Sequence, residues 1–196
     1  DPSREVALDG NSGKQFDILT GKSTGITFIN DLTDNYKVNH WRYSYIFQGG
    51  GVSVGDINGD GLQDIFLVGN ISPCKLYLNK GNLKFEDITA KSGIAKLPTE
   101  WTMSATMVDI DGDGDLDIYE CLGRWEDSAK RKNRVFLNNG NLTFTDVSKK
   151  IGLDDNTYSV MANFFDYDND GDLDMYLATH PTDFTDKFKT KAFQKI

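Results

Sequence analysis

Thirteen of the 30 acidic residues fall in three nine-residue segments, and the chemistry open to such segments is the capture of a hard cation by oxygen. The segments read Asp56-Ile-Asn-Gly-Asp-Gly-Leu-Gln-Asp64, Asp109-Ile-Asp-Gly-Asp-Gly-Asp-Leu-Asp117 and Asp166-Tyr-Asp-Asn-Asp-Gly-Asp-Leu-Asp174. Ca²⁺ takes roughly six to eight oxygens at about 2.3–2.6 Å, mostly from carboxylates and carbonyls. Side chains at positions 1, 3 and 5 can turn onto one point, and glycine at position 6 permits the reversal that wraps the chain round an ion. Position 7 then offers a main-chain carbonyl and position 9 a further carboxylate. The expected ligands of the first loop are Asp56, Asn58, Asp60, the carbonyl of Leu62, and Asp64. Those of the second are Asp109, Asp111, Asp113, the Asp115 carbonyl and Asp117; those of the third are Asp166, Asp168, Asp170, the Asp172 carbonyl and Asp174. Three Ca²⁺ sites are therefore expected. Mg²⁺ suits them less, because it demands near-octahedral geometry and keeps its waters. Asn58 lowers the charge of the first loop, which predicts weaker binding there.

Two other readings compete. Asp and Gly also suit plain surface turns, but three copies in one context argue against that. An EF-hand shares the 1-3-5 ligands and Gly at 6, then requires Glu at 12 and flanking helices. Only the second loop has Glu at that position, Glu120; the others have Leu67 and Leu177, and the flanks read as strands.

The elements that must position these loops repeat with them. Small and apolar runs precede each loop (51–55, 103–108, 160–165), and others follow (65–68, 118–121, 175–178). In the first two units come third runs, Lys75-Leu-Tyr-Leu-Asn79 and Arg134-Val-Phe-Leu-Asn138. Turns at Lys80-Gly-Asn82 and Asn139-Gly-Asn141 then lead to fourth runs over 83–88 and 142–147. Each unit reads as a four-stranded antiparallel meander with its acidic loop between the first two strands. The pattern Phe16-Asp-Ile-Leu-Thr20, Lys22, Gly25-Ile26 repeats the end of such a unit (Phe85 to Ile94, Phe144 to Leu153) with one extra residue.

The expected fold class is all-β, made of β-propeller blades. The expected divisions are a polar N-terminal tail over 1–14, a partial propeller over 15–180 and a linker to missing blades over 181–196. Within the propeller we expect a closing strand at 15–26, an insertion at 27–48, blades at 49–94 and 101–153, and a half blade at 158–180. The segment 187–196 is Lys-rich and lacks strand alternation. A propeller ring takes roughly four to eight blades, so the missing blades are expected from the same longer chain or from other chains.

The loops and their flanks, above all Gly49–Asn70 and Thr24–Asp31, resemble the FG-GAP/VCBS repeat family, to which the integrin α-subunit propeller belongs, and in particular its secreted bacterial members related to cartilage acidic protein. The resemblance covers about residues 15–180. It implies a seven-bladed propeller when complete, of which this would be the N-terminal part, with Ca²⁺ between strands one and two of each blade. It further implies partner-binding loops on the opposite face. Those loops would carry Trp41, Arg42, Tyr43, Tyr45, Arg124 and Trp125, residue types common at binding hot spots.

Charge and composition narrow the function classes. The net charge is −9, yet outside the three loops 17 acids face 21 Lys and Arg, so the acidity is local. No basic patch with interleaved aromatics suggests nucleic acid, and no apolar run nears the roughly 20 residues of a membrane span. Cys74 and Cys121 could pair in an oxidising compartment or stand as two buried thiols. The leading expectation is a non-catalytic module at the cell surface or exterior, binding a protein or glycan ligand. The alternative is the propeller part of a carbohydrate-active enzyme such as a polysaccharide lyase, in which His40, His180 and the loop acids would do acid–base work. No nucleophile–base constellation supports that alternative, and calcium-bound carboxylates are poor bases.

Overall fold

The third runs are short, apolar and bounded by turn residues, and they fold as expected to the residue: β3 spans Lys75–Asn79 and β7 spans Arg134–Asn138. The computed structural model describes residues 17–33, 35–36, 38–41, 46–94, 100–123, 128–180 and 191–195. The first sheet is a meander of β1 (Val52–Gly55), β2 (Asp64–Leu67), β3 and β4 (Phe85–Asp87). The second repeats it with β5 (Thr102–Val108), β6 (Asp117–Leu122), β7 and β8 (Phe144–Asp146). All pairings within both sheets are antiparallel. The third sheet contains β9 (Tyr158–Phe165), β10 (Asp174–His180) and β11 (Lys191–Lys195), with β10 in the middle.

β11 corrects the sequence reading, in which 187–196 has no strand. Its backbone pairs antiparallel with β10, aligning Asp174 with Lys195. An open sheet edge presents unpaired N–H and C=O groups that a further strand can satisfy, and strands rich in Lys are a common way to blunt such edges. A Lys-rich composition therefore hides an edge strand from pattern reading.

The sheets stand side by side through their first strands, with β1 against β5 and β5 against β9. Hydroxyls stitch these boundaries. Ser53 Oγ accepts the Met107 N–H at 2.8 Å, Ser104 Oγ donates to the Val160 carbonyl at 2.7 Å, and Thr106 Oγ1 donates to the Ala162 carbonyl at 2.8 Å. The cores lie between successive sheets. Phe66, Val68, Leu76 and Ile88 of the first meet Ile118, Phe136 and Phe144 of the second. Tyr119, Cys121 and Val135 of the second meet Ala162, Met175 and Leu177 of the third. Ile118 and Tyr119 thus serve opposite faces, as the period of two in a strand requires. Because both its faces are covered, β6 is buried along all six residues, whereas β2 alternates.

One-turn helices precede the first blade and follow each of the two complete blades. The turn α1 spans Gly21–Thr24, α2 spans Thr89–Ser92 and α3 spans Ser148–Ile151; each ends on a left-handed glycine, Gly25, Gly93 and Gly152. The expected closing strand at 15–26 is not a strand among its described residues, 17–26: residues 17–20 carry no regular structure and lead through an extended Thr20 into α1. The fourth strands pair with a third strand of their own blade, and no sheet pairing engages residues 17–20. The unit-end relationship survives nonetheless. A Cβ on Gly25 would come 2.4 Å from the Phe85 carbonyl oxygen, and one on Gly93 would come 2.9 Å from that of Phe144. The N-terminal segment therefore packs on the first blade as the end of the first blade packs on the second. Thr27 adds an N–H donated to Tyr77 Oη at 3.1 Å, and Asn30 exchanges two hydrogen bonds with Asn70.

Within the insertion, Val38 and Ile46 pack with Trp101 in a third small core. The polar tail 1–14 and the candidate binding residues Arg42, Tyr43, Tyr45, Arg124 and Trp125 lie outside the described residues. No helix among the described residues is long and apolar enough to cross a membrane.

Candidate metal centre

Each acidic loop joins the first strand of a sheet to the second, with its ninth residue opening the second strand. Its first residue is caged by the loop's own backbone. Asp56 accepts N–H groups from Gly59 at 2.8 Å and Gly61 at 2.7 Å. Asp109 does the same from Gly112 at 2.8 Å and Gly114 at 3.0 Å, and Asp166 accepts from Gly171 at 3.0 Å. Such bonds stabilise the charged carboxylate, and at Asp56 the Gly61 bond is the leading cause that holds the group below its ordinary carboxylate value.

Two backbone reversals bring the remaining side chains round. Position 6 is left-handed in every loop, at Gly61, Gly114 and Gly171. Position 4 is left-handed too, at Gly59 (φ +71°), Gly112 (φ +74°) and Asn169 (φ +59°). The expected loop pattern calls for a reversal at position 6 alone. The signal for position 4 was available, since Gly, Gly and Asn are the residues that tolerate this conformation best.

The ninth residues are buried anchors. Asp64 and Asp117 are at most 1% exposed, and Asp174 is 7% exposed. Asp64 Oδ2 accepts the Ile57 N–H at 3.0 Å and Oδ1 accepts the Asn79 N–H at 2.7 Å. Asp117 repeats this with Ile110 and Asn138, both at 2.8 Å. Asp174 keeps the first bond, from Tyr167 at 2.9 Å. Asn79 and Asn138, which end the third strands, join the site although the ligand pattern does not include them; an Asn closing both third runs is the sequence signal that marks them. Burial, reinforced by Asp111 and Asp113, pushes the Asp117 carboxyl up to about 6. Asp64 is raised for the same leading reason.

The carboxylates converge where the charge is highest. Asp109, Asp111 and Asp113 place one oxygen each within 4.8 Å of one another, and so do Asp166, Asp168 and Asp174. Asp117 lies outside the second-loop group. In the first loop, where position 3 is Asn58, its amide donates to Asp60 at 3.1 Å. The donor set fits a hard cation. It is all oxygen, and an ionised carboxylate offers about four lone-pair sites, so an anchor that accepts two N–H bonds retains capacity for an ion. Acidic oxygens this close repel one another unless a proton or a cation lies between them.

The histidines stand apart from this chemistry. His180 ends β10, which Asp174 opens; six residue rises of about 3.3 Å put it roughly 20 Å from the acidic loop. Burial lowers its proton affinity. His40 lies exposed beside Trp41 in the insertion. Cys74 and Cys121 are two buried thiols with no disulfide between them, and burial pushes Cys121 up to about 12.

At the end of the sheets away from the acidic loops, two features could meet a ligand. Trp41 is 94% exposed. A cleft of about 350 Å³ is lined by Leu122, Lys130, Lys132, Arg134, Lys149 and Asp154, among others. Arg134 is held there by Glu100 at 3.1 Å and Asp146 at 3.4 Å while lying over the Phe136 ring.

Comparison with known proteins agrees with this architecture. The chain is 30% identical over 158 residues to cartilage acidic protein 1 of Homo sapiens and of Xenopus tropicalis, and 29% identical to that of Mus musculus. Each match covers 79% of this chain but 22% of the relative, so the chain spans about a fifth of those proteins' length. FG-GAP-like repeats match residues 56–120 and 124–177, more than half of the chain, with the first match opening on the first residue of the first acidic loop. This all-β chain of four-stranded blades belongs to the FG-GAP-like repeat family.

Proposed function

We propose that this chain is a calcium-stabilised part of a β-propeller that acts as an extracellular or cell-surface binding module for a protein or glycan. The observation that carries the calcium reading is the convergence of three carboxylate oxygens within 4.8 Å in both the second and the third loop. A bound ion would neutralise those acids and clamp the first two strands of a sheet, making Ca²⁺ structural rather than catalytic. The third loop would use Asp166, Asp168 and Asp174 directly, with Asp170 and the Asp172 carbonyl completing the shell. The first loop, with Asn58, would hold its ion least tightly. The family relationship and the extracellular resemblance support the binding role, and Trp41 with the cleft near Arg134 supplies a surface for it. Further blades would come from the same longer chain or from other chains.

Screening the longest natural chain against glycan and matrix-protein arrays, with Ca²⁺ and with EDTA, tests the reading. Specific retention without cleavage, lost on chelation, is expected. Depolymerisation of a bound glycan would replace the binding module with an enzyme.

A further inference from the structure

The two complete blades treat the asparagine at the end of the third strand differently. In the first blade the Asn79 side-chain amide donates to the Gln63 carbonyl of its own loop at 2.9 Å. In the second, the Asn138 amide reaches the matching carbonyl of Leu116 at 3.2 Å and also crosses the blade boundary to the Ile57 carbonyl at 2.8 Å. Ile57 is the second residue of the first acidic loop and is buried. Its own N–H is the one held by Asp64. Asn138 also donates its backbone N–H to Asp117, the anchor of the second loop.

Three hydrogen bonds, joined through the residues Asn138 and Ile57, therefore connect Asp117 to Asp64. We propose that Asn138 is a positioning residue that couples cation binding at the first and second loops. The proposal rests on the calcium reading above. An ion in the second loop would fix Asp117 and the end of β7, and with them the amide that holds Ile57. The first loop would then have less conformational freedom to lose when it takes its own ion, which is positive coupling. One buried hydrogen bond as the connector suggests a factor of about five in affinity. Linkage makes that factor reciprocal. Asn79 provides an internal control, because its side chain serves its own loop.

The test is a site-resolved Ca²⁺ titration of the whole chain by NMR, following the Gly61 and Gly114 amides. The second loop is disabled with Asp111→Asn and Asp113→Asn. In the otherwise wild-type chain the first loop should lose about five-fold in affinity. In Asn138→Ala the same disabling should leave the first loop unchanged, and in Asn79→Ala the coupling should persist. Asn138→Gln, which keeps the amide but displaces it, serves as a second variant should Asn138→Ala not fold. First-loop affinity that ignores the second loop in the wild-type background overturns the coupling, as does coupling that survives in either Asn138 variant. Failure of both loops to take Ca²⁺ in the unmodified chain overturns the calcium reading as well, and so distinguishes the two failures.

Discussion

The Asp117 carboxylate accepts the backbone N–H of Asn138 at 2.8 Å, which ties the acidic loop of the second blade to the third strand of the same blade. With the Ile110 bond at its other oxygen, Asp117 is a buried crosslink as well as a candidate ligand. Replacing it by Ala leaves a buried donor, Asn138 N–H, and a part-buried one, Ile110 N–H, without their acceptor. We expect Asp117→Ala to cost about 2–4 kcal/mol of stability even without Ca²⁺, measured by urea unfolding. The exposed Asp113→Ala should cost little in EDTA and show its effect only when Ca²⁺ is added.

The same carboxylate predicts a pH dependence. Its folded value of about 6 lies above the ordinary 3.8. In the metal-free chain the stability contributed by protonated Asp117 is fully present below about pH 4 and is lost as pH rises through about 6. Calcium should offset that loss, so the Ca²⁺-induced rise in Tm should grow between pH 4.5 and 7. Melting curves of Asp117→Asn in EDTA should lack this component. An unchanged pH profile in that variant would assign it elsewhere.

Left-handed glycines after the helical turns differ in what surrounds them. Gly93 has φ +78° and would set a Cβ against the Phe144 carbonyl, whereas Gly152 has φ +76° with open space around it. Gly152→Ala should cost only the backbone conformational term, about 1 kcal/mol. Gly93→Ala adds a steric clash between blades and should cost about twice as much or more. Equal losses in thermal unfolding would argue against the blade contact.

Buried thiols should be inert. Cys121, raised to about 12 by burial, and the equally buried Cys74 should resist a thiol reagent at pH 8 until denaturant is added. Rapid labelling of native Cys74 would contradict the packing of the first core, and of Cys121 that of the second.

The sequence exposed the blades well because loops, strands and turns repeat together, and two independent copies constrain each boundary. What it concealed depends on neighbours. The Phe16–Thr20 pattern looks like a fourth strand, but a strand needs a partner edge, and the described part, residues 17–20, has none. Lys191–Lys195 lacks alternation, but the open edge of β10 takes it as a strand. Asn138 and Asn79 have equivalent places in the repeat, yet only the first reaches another blade's loop, a difference that depends on which blade stands beside it.

Calorimetric titration of the metal-stripped chain decides whether the three acidic loops bind calcium. Uptake of one Ca²⁺ per loop, weakest at the first, is expected, with a Tm raised by linkage and a smaller response to equal Mg²⁺. No binding heat, together with a Tm unmoved by millimolar Ca²⁺ on protein verified to be metal-free, would contradict it.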